Sequence, residues 1–223
     1  IQKRNEYTKE LGLGDYTGIE IAGEEKGIIA GPEYVEALGE TWWPGDTIQA
    51  AIGQSKNLFT PIQMANYIAT LANGGTRYRP HLLKKIKEYS SSLIIDETEP
   101  EIIDKISMSD EFYKAIMNGM KSVTEDGTAS TVFADFGITV GGKTGTAQKY
   151  DTNGQIAIGK YISSFIGTYP ASNPEYIMVN FNKIAPKFDQ EIEQNYNMSD
   201  SKTINKLTPE GFYLMINPDY PID

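Results

Sequence analysis

The stretch that most restricts the fold lies between Ile138 and Asn182, where ITVGGKTGTAQKY, IGKYISSFIGTYP and PEYIMVNFN follow one another with DTNGQ and ASN at the two junctions. The runs are rich in β-branched and aromatic residues, which suit a pleated surface. The junctions hold the small and polar residues that close tight turns. Read together, they predict an antiparallel meander of three strands.

The first run can be read in two ways. Gly137, Gly142, Lys143 and Thr144 fit the phosphate-loop pattern G-x-x-x-x-G-K-[ST], while Lys143, Thr144 and Gly145 spell the K-T-G of serine acyl transferases. A phosphate loop needs a strand before its first glycine and a helix opening at the Lys-Thr pair, so that free backbone N–H groups face the phosphates. Here Ile138, Thr139 and Val140 would fall inside the loop, where β-branched residues fit poorly, and TGTAQKY continues in a β-type pattern. No apolar strand ending in a magnesium-binding Asp follows, so the nucleotide reading is set aside.

As a strand, the run places Thr144 and Thr146 on one face, their hydroxyls available to a ligand carboxylate, with Lys143 adding positive charge. Gln148 continues that face, either in contact with substrate or simply exposed. Gly141, Gly142 and Gly145 would weaken a strand unless a substrate, or a helix packed behind it, must approach the backbone closely. The plain alternative is a glycine-containing edge strand with an exposed lysine.

Composition narrows the chemistry. The chain has 223 residues, 39% of them hydrophobic, enough for one buried core or for one large domain with a smaller appendage, and no run approaches the length of a membrane span. A net charge of −10 and a pI near 4.7 leave no basic stripe for nucleic acid. With no cysteine, disulfides, thiolate catalysis and cysteine zinc sites are excluded. The single histidine, His81, cannot form a His cluster, so no metal site is expected; it is read as a packed or edge side chain at the start of a strand.

Along the chain, IQKRNEYTKELGLG reads as the end of a helix already under way, capped in the left-handed region at Gly12 or Gly14. The chain therefore looks cut at its start, with any signal peptide, anchor or upstream catalytic residue outside it. Asp15 to Asp46 reads as loop-dominated, ending in TWWPGD with a turn at Pro44-Gly45. Trp42 and Trp43 are either aromatic loop anchors or the lining of a substrate groove.

Thr60 as N-cap, Pro61 at the first helical position and Gly74-Gly75 as stop predict a helix whose Ile62, Ala65, Ile68, Ala69 and Ala72 face the core. TRYRPHLLKKIKEY is expected to be extended, and SSSLIIDETEPEIIDKI alternates turns with short β-branched runs. Ser109 caps a second helix, with Asp110 and Glu111 in its first turn and Phe112, Ile116, Met120 and Val123 as its apolar stripe, ending near Gly127. The remaining segment is acidic and polar, with one more apolar run from Phe212 to Ile216.

Several of these segments together resemble one family. GGKTGTAQ is similar to the third active-site motif of penicillin-binding proteins, and AIGQSKNLFTPIQMANYIATLANGGTRYRPHL resembles their GQG-x-x-x-TP-x-QMA helix with its ANGG exit. GLGDYTGIEIAGEEKGII, WWPGDTIQAAIGQ, MNGMKSVTEDGTAS and SSFIGTYPASNPEYIMV resemble further segments in the same order, most like the monofunctional class B members. The likeness covers residues 7 to 183, and ordered segments are far more specific than a three-letter string.

The resemblance implies an α/β (α+β) transpeptidase fold of the penicillin-binding protein and serine β-lactamase type, an antiparallel sheet flanked by helices and incomplete at its N-terminus. Residues 1 to 183 would be the C-terminal portion of that domain, and residues 184 to 223 a tail that either completes it or stands apart. The implied activity is D-alanyl-D-alanine acyl transfer through a serine ester, cross-linking peptidoglycan stem peptides, with no cofactor and with β-lactam antibiotics as ligands. Lys143 would supply the electrostatics of the cleft, Thr144 and Thr146 would bind the substrate carboxylate, and the Thr146 N–H would be an oxyanion-hole donor. Gly145 would let the substrate backbone lie along the strand. The parent would sit outside the cytoplasmic membrane on an N-terminal anchor, with other cell-wall synthesis proteins.

The family also requires S-x-x-K and S-x-N, both N-terminal to every segment matched here. SDSK at Ser199 to Lys202 follows Lys143, the reverse of the family order, in a polar tail. SKN at Ser55 to Asn57 occupies a slot where the family has glycine, so Ser55 is read as a variation in a structural loop. The fragment is therefore not expected to acylate alone. A non-catalytic penicillin-binding sensor or binding module, and a related D,D-carboxypeptidase or β-lactamase, are the alternatives.

Overall fold

The computed structural model describes residues 1–150, 156–184 and 212–216, and the chain divides into two compact units between Met108 and Ser109. The first unit opens with α1 (Gln2–Glu10). Gly12, at φ +83°, follows its last turn; the Gly12 N–H reaches the Lys9 carbonyl and the Leu13 N–H that of Thr8. That pair of bonds is a left-handed glycine cap, as the sequence predicts.

The Asp15 to Asp46 stretch departs from the loop expectation. It contains α2 (Pro32–Ala37), and Pro44 opens α3 (Pro44–Ala51) instead of marking a turn. Proline loses nothing at the first helical position, where its missing N–H has no partner to lose. Asp46 completes the start by accepting the Trp43 N–H at 2.8 Å.

The predicted core helix is α4 (Pro61–Ala72), with the Thr60 hydroxyl accepting the Gln63 N–H. Ala65, Ile68, Ala69 and Ala72 are buried, while Ile62 is half-buried. Gln63 is buried as well, because its amide has work on both ends. Its Oε1 accepts the Thr60 N–H at 2.9 Å, and its Nε2 donates to the carbonyls of Asp15 and Lys26 at 2.6 and 2.7 Å. One side chain thus ties a helix start to two loops, and the buried amide is satisfied.

Beyond α4 the chain forms two small antiparallel ribbons. β1 (Thr76–Tyr78) pairs with β4 (Ile102–Lys105), and β2 (Lys85–Lys87) pairs with β3 (Ile94–Glu97). TRYRPHLLKKIKEY is therefore not one extended run: β1 and β2 lie in separate sheets, interrupted around Pro80.

The second unit carries the meander. α5 (Asp110–Glu125) starts at Ser109, whose hydroxyl accepts the Phe112 N–H, and α6 (Ser130–Phe133) follows. β5 (Gly141–Tyr150), β6 (Ile156–Tyr169) and β7 (Tyr176–Ile184) pair antiparallel in sequence order. The apolar run Phe212–Ile216 is β8, antiparallel to β7, giving the order β5-β6-β7-β8. Ile138 to Val140, expected within the first strand, precede it.

The stripe predicted for α5 is turned. Met117, Met120 and Thr124 are the buried positions, Ile116 and Val123 are half-buried, and Phe112 is exposed. A threonine occupies the buried line because its hydroxyl is satisfied there, its one proton lying between the carbonyls of Lys121 and Val140. Hydropathy alone gives such a residue to the wrong face. The DTNGQ junction and the SDSK segment lie outside the described residues. Among the described residues, no helix is long and apolar enough to cross a membrane.

Candidate functional site

The K-T-G run lies within β5, the terminal strand of the described sheet. The register Thr144↔Phe165, Thr146↔Ser163 and Gln148↔Tyr161 puts Thr144, Thr146 and Gln148 on a common face. Thr146 and Gln148 are exposed, Thr144 and Gly145 are half-buried, and Lys143 is exposed. The Lys143 ammonium donates to the Thr144 carbonyl oxygen, keeping its charge against its own strand. No helix opens at Lys143-Thr144, so the phosphate-loop geometry is absent.

The glycines have separate reasons. A Cβ on Gly141 would stand 2.8 Å from Thr168 Oγ1 and 3.4 Å from Met120 Cβ of α5, so a helix does pack closely behind the strand there. At Gly142 a Cβ would strike the Phe165 ring, which tilts against Phe133 at 5.3 Å between centroids. At Gly145 it would strike Ser164 Oγ on the neighbouring strand, which would have to rotate away.

Sequence reasoning missed one neighbour. Thr128 Oγ1, from the connection between α5 and α6, lies 2.9 Å from Thr144 Oγ1. The available signal was DGTAS: a hydroxyl residue directly after the glycine that ends the helix packed on the K-T-G strand.

Other candidates have structural partners. Ser55 sits at φ +63°, the left-handed region that favours glycine, in agreement with its reading as a loop variation. Lys56 pairs with Glu40. Asn57 joins loops: its Oδ1 accepts the Ala30 N–H at 3.0 Å and Arg4 Nη2 at 3.1 Å, and its Nδ2 donates to the Gln54 carbonyl at 2.7 Å.

Trp42 is an anchor, half-buried with Nε1 donating to Thr47 at 2.9 Å. Trp43 is exposed and lines, with Val35, Asp46 and Lys56, a pocket of about 360 Å³ in the first unit. His81 pairs through Nδ1 with Glu20, which also accepts the Leu82 N–H at 3.2 Å. The His81 contact, and then the backbone N–H groups, hold the Glu20 carboxyl down to about 2.

An edge strand with this hydroxyl face and a helix packed against its first glycine fit the K-T-G reading of the run and not the phosphate loop. The chain belongs to the penicillin-binding protein family: residues 1–204 match the model of the penicillin-binding protein transpeptidase domain. It is 34% identical to penicillin-binding protein H of Bacillus subtilis over 87% of this chain and 27% of that protein. It is 32% identical to the peptidoglycan D,D-transpeptidase MrdA of Escherichia coli over 67% of this chain and 24% of that protein.

Among solved structures, penicillin-binding protein 2B of Streptococcus pneumoniae superposes with a TM-score of 0.65 at 25% identity, covering 86% of this chain and 32% of that one. The fold is that of penicillin-binding protein transpeptidase domains, mixed helices with antiparallel sheets. The chain spans about a quarter of the length of the curated relatives named here.

Proposed function

We propose that this chain is the substrate-carboxylate side of a peptidoglycan D,D-transpeptidase, with β5 as the strand along which a stem peptide or a β-lactam lies. The observation that carries this reading is the exposed edge of β5, where the Lys143 ammonium and the Thr144 and Thr146 hydroxyls occur within four consecutive residues. A terminal carboxylate meeting two hydroxyl donors beside a cation gains charge-assisted hydrogen bonds, stronger than neutral ones. Lys143 supplies the field, Thr144 and Thr146 bind the acid group, and the Thr146 N–H serves the oxyanion that develops on the attacked carbonyl. Gly145 and Gln148 flank the ligand backbone.

Residues 1–183 act as part of the transpeptidase domain, and β8 extends the same sheet. The attacking serine and its lysine belong to motifs that the family places before every segment matched here, so the isolated chain does not acylate. The parent works outside the cytoplasmic membrane, where its cell-wall substrate is, held by an N-terminal anchor.

A fluorescent penicillin tests this. The isolated chain should take up no covalent label, and the full-length parent should label stoichiometrically at a serine preceding Ile1. Stoichiometric labelling of the isolated chain would contradict the assignment of the nucleophile. An unlabelled full-length parent would favour a binding module.

A further inference from the structure

We propose that Thr128 is a positioning residue for carboxylate recognition: its hydroxyl donates to Thr144 Oγ1 and so commits the Thr144 proton to the bound acid group. The proposal rests on the reading of β5 given above. A threonine hydroxyl has one proton and two lone pairs. At 2.9 Å the two hydroxyls share one hydrogen bond, and either can be its donor. If Thr144 donated to Thr128, it could only accept from outside and would repel an anion. If Thr128 donates, Thr144 keeps its proton for the ligand, and the two aligned bonds polarise one another. A carboxylate over β5 selects the second arrangement.

The placement of Thr128 is built into the fold. The preceding Gly127 is pressed against the last turn of α5, where a Cβ would lie 2.8 Å from Val123 Cα and 2.9 Å from the Ser122 carbonyl oxygen. The following Ala129 is buried, and its N–H donates to the Val123 carbonyl at 2.9 Å. α5 is itself fastened to the start of β5 by the Thr124 hydroxyl on the Val140 carbonyl. Thr128 therefore sits on a connection held to α5 on both sides, with its side chain exposed at β5. A binding hydroxyl is most effective when its own orientation is fixed by a supporting contact.

The test uses the full-length protein and compares acylation by a penicillin with a free carboxylate against its methyl ester. Thr128→Val should slow acylation by the free acid about 3- to 12-fold, the scale of one net hydrogen bond, and leave the ester within about twofold. Thr128→Ser should stay within about threefold of the parent for both. In Thr144→Val, adding Thr128→Val should cost nothing more, since the two act as one unit.

Thr128→Val slowing both ligands equally, or neither, overturns the proposal, and a thermal melt separates the first outcome from a folding defect. If Thr144→Val lowers the preference for the acid while Thr128→Val keeps it, the proposal alone falls. If Thr144→Val also keeps it, the reading of β5 falls.

Discussion

The two units are held in order by different means. In Ile1–Met108, side-chain amides bind loop backbones: the buried Gln63 joins Asp15, Lys26 and Thr60, and the half-buried Asn57 joins Ala30 and Gln54 and also accepts from the Arg4 side chain. In Ser109–Asn217, a backbone ladder orders the sheet, with nine registered pairs between β5 and β6, interrupted between Gln148 and Tyr150, and nine between β6 and β7. A ladder distributes its hydrogen bonds over many residues, whereas a hub concentrates them in one side chain. Single polar truncations should therefore cost far more in the first unit than in the second.

The sharpest way to break this contrast is Gln63→Leu. It leaves two loop carbonyls and a helix-start N–H without their partner in a buried setting, and about 3–5 kcal/mol of stability should be lost in denaturant unfolding. A loss under about 1 kcal/mol would show that the loops do not depend on the hub. Asn57→Ala should follow at about 1–2 kcal/mol, less because Asn57 is half-buried and water reaches part of its site.

In the second unit, Gly141→Ala tests packing. Its new Cβ meets Thr168 and the backbone-near Cβ of Met120, so about 1–3 kcal/mol should be lost through overpacking. A neutral result would mean that α5 can move away from β5.

The smallest effect belongs to a pair whose carboxylate is exposed. His81, and then the backbone N–H groups, lower the Glu20 carboxyl to about 2 from 4.5, so these contacts stabilise the fold fully above pH 4.5 and are lost as pH falls toward 2. Glu20→Gln should flatten that part of the stability profile slightly, because solvent screens the exposed carboxylate. A change comparable to that of Gln63→Leu would contradict the ranking.

The same contrast explains what could be read from the sequence. The meander, its K-T-G strand and the α4 caps were legible, since strand period, turn residues and capping residues are local signals. The Asp15 to Asp46 loops hid two helices because Gly and Pro there mark helix starts as readily as turns, and only the partner of Asp46 decides. The face of α5 was misjudged at Phe112 because Thr124 is buried through a hydrogen bond, which hydropathy does not register. The site itself divides similarly: Thr144, Thr146 and Gln148 follow from period two, but Thr128 is 16 residues away and meets Thr144 only through the fold.

The central claim is that the β5 edge reads a terminal acid group. The most direct measurement is a crystal structure of the full-length protein acylated by a penicillin. The account predicts the drug's carboxylate within about 2.6–3.2 Å of both the Thr144 and the Thr146 hydroxyls, with the Lys143 ammonium nearby. A carboxylate bound elsewhere, with both hydroxyls facing solvent, would contradict it.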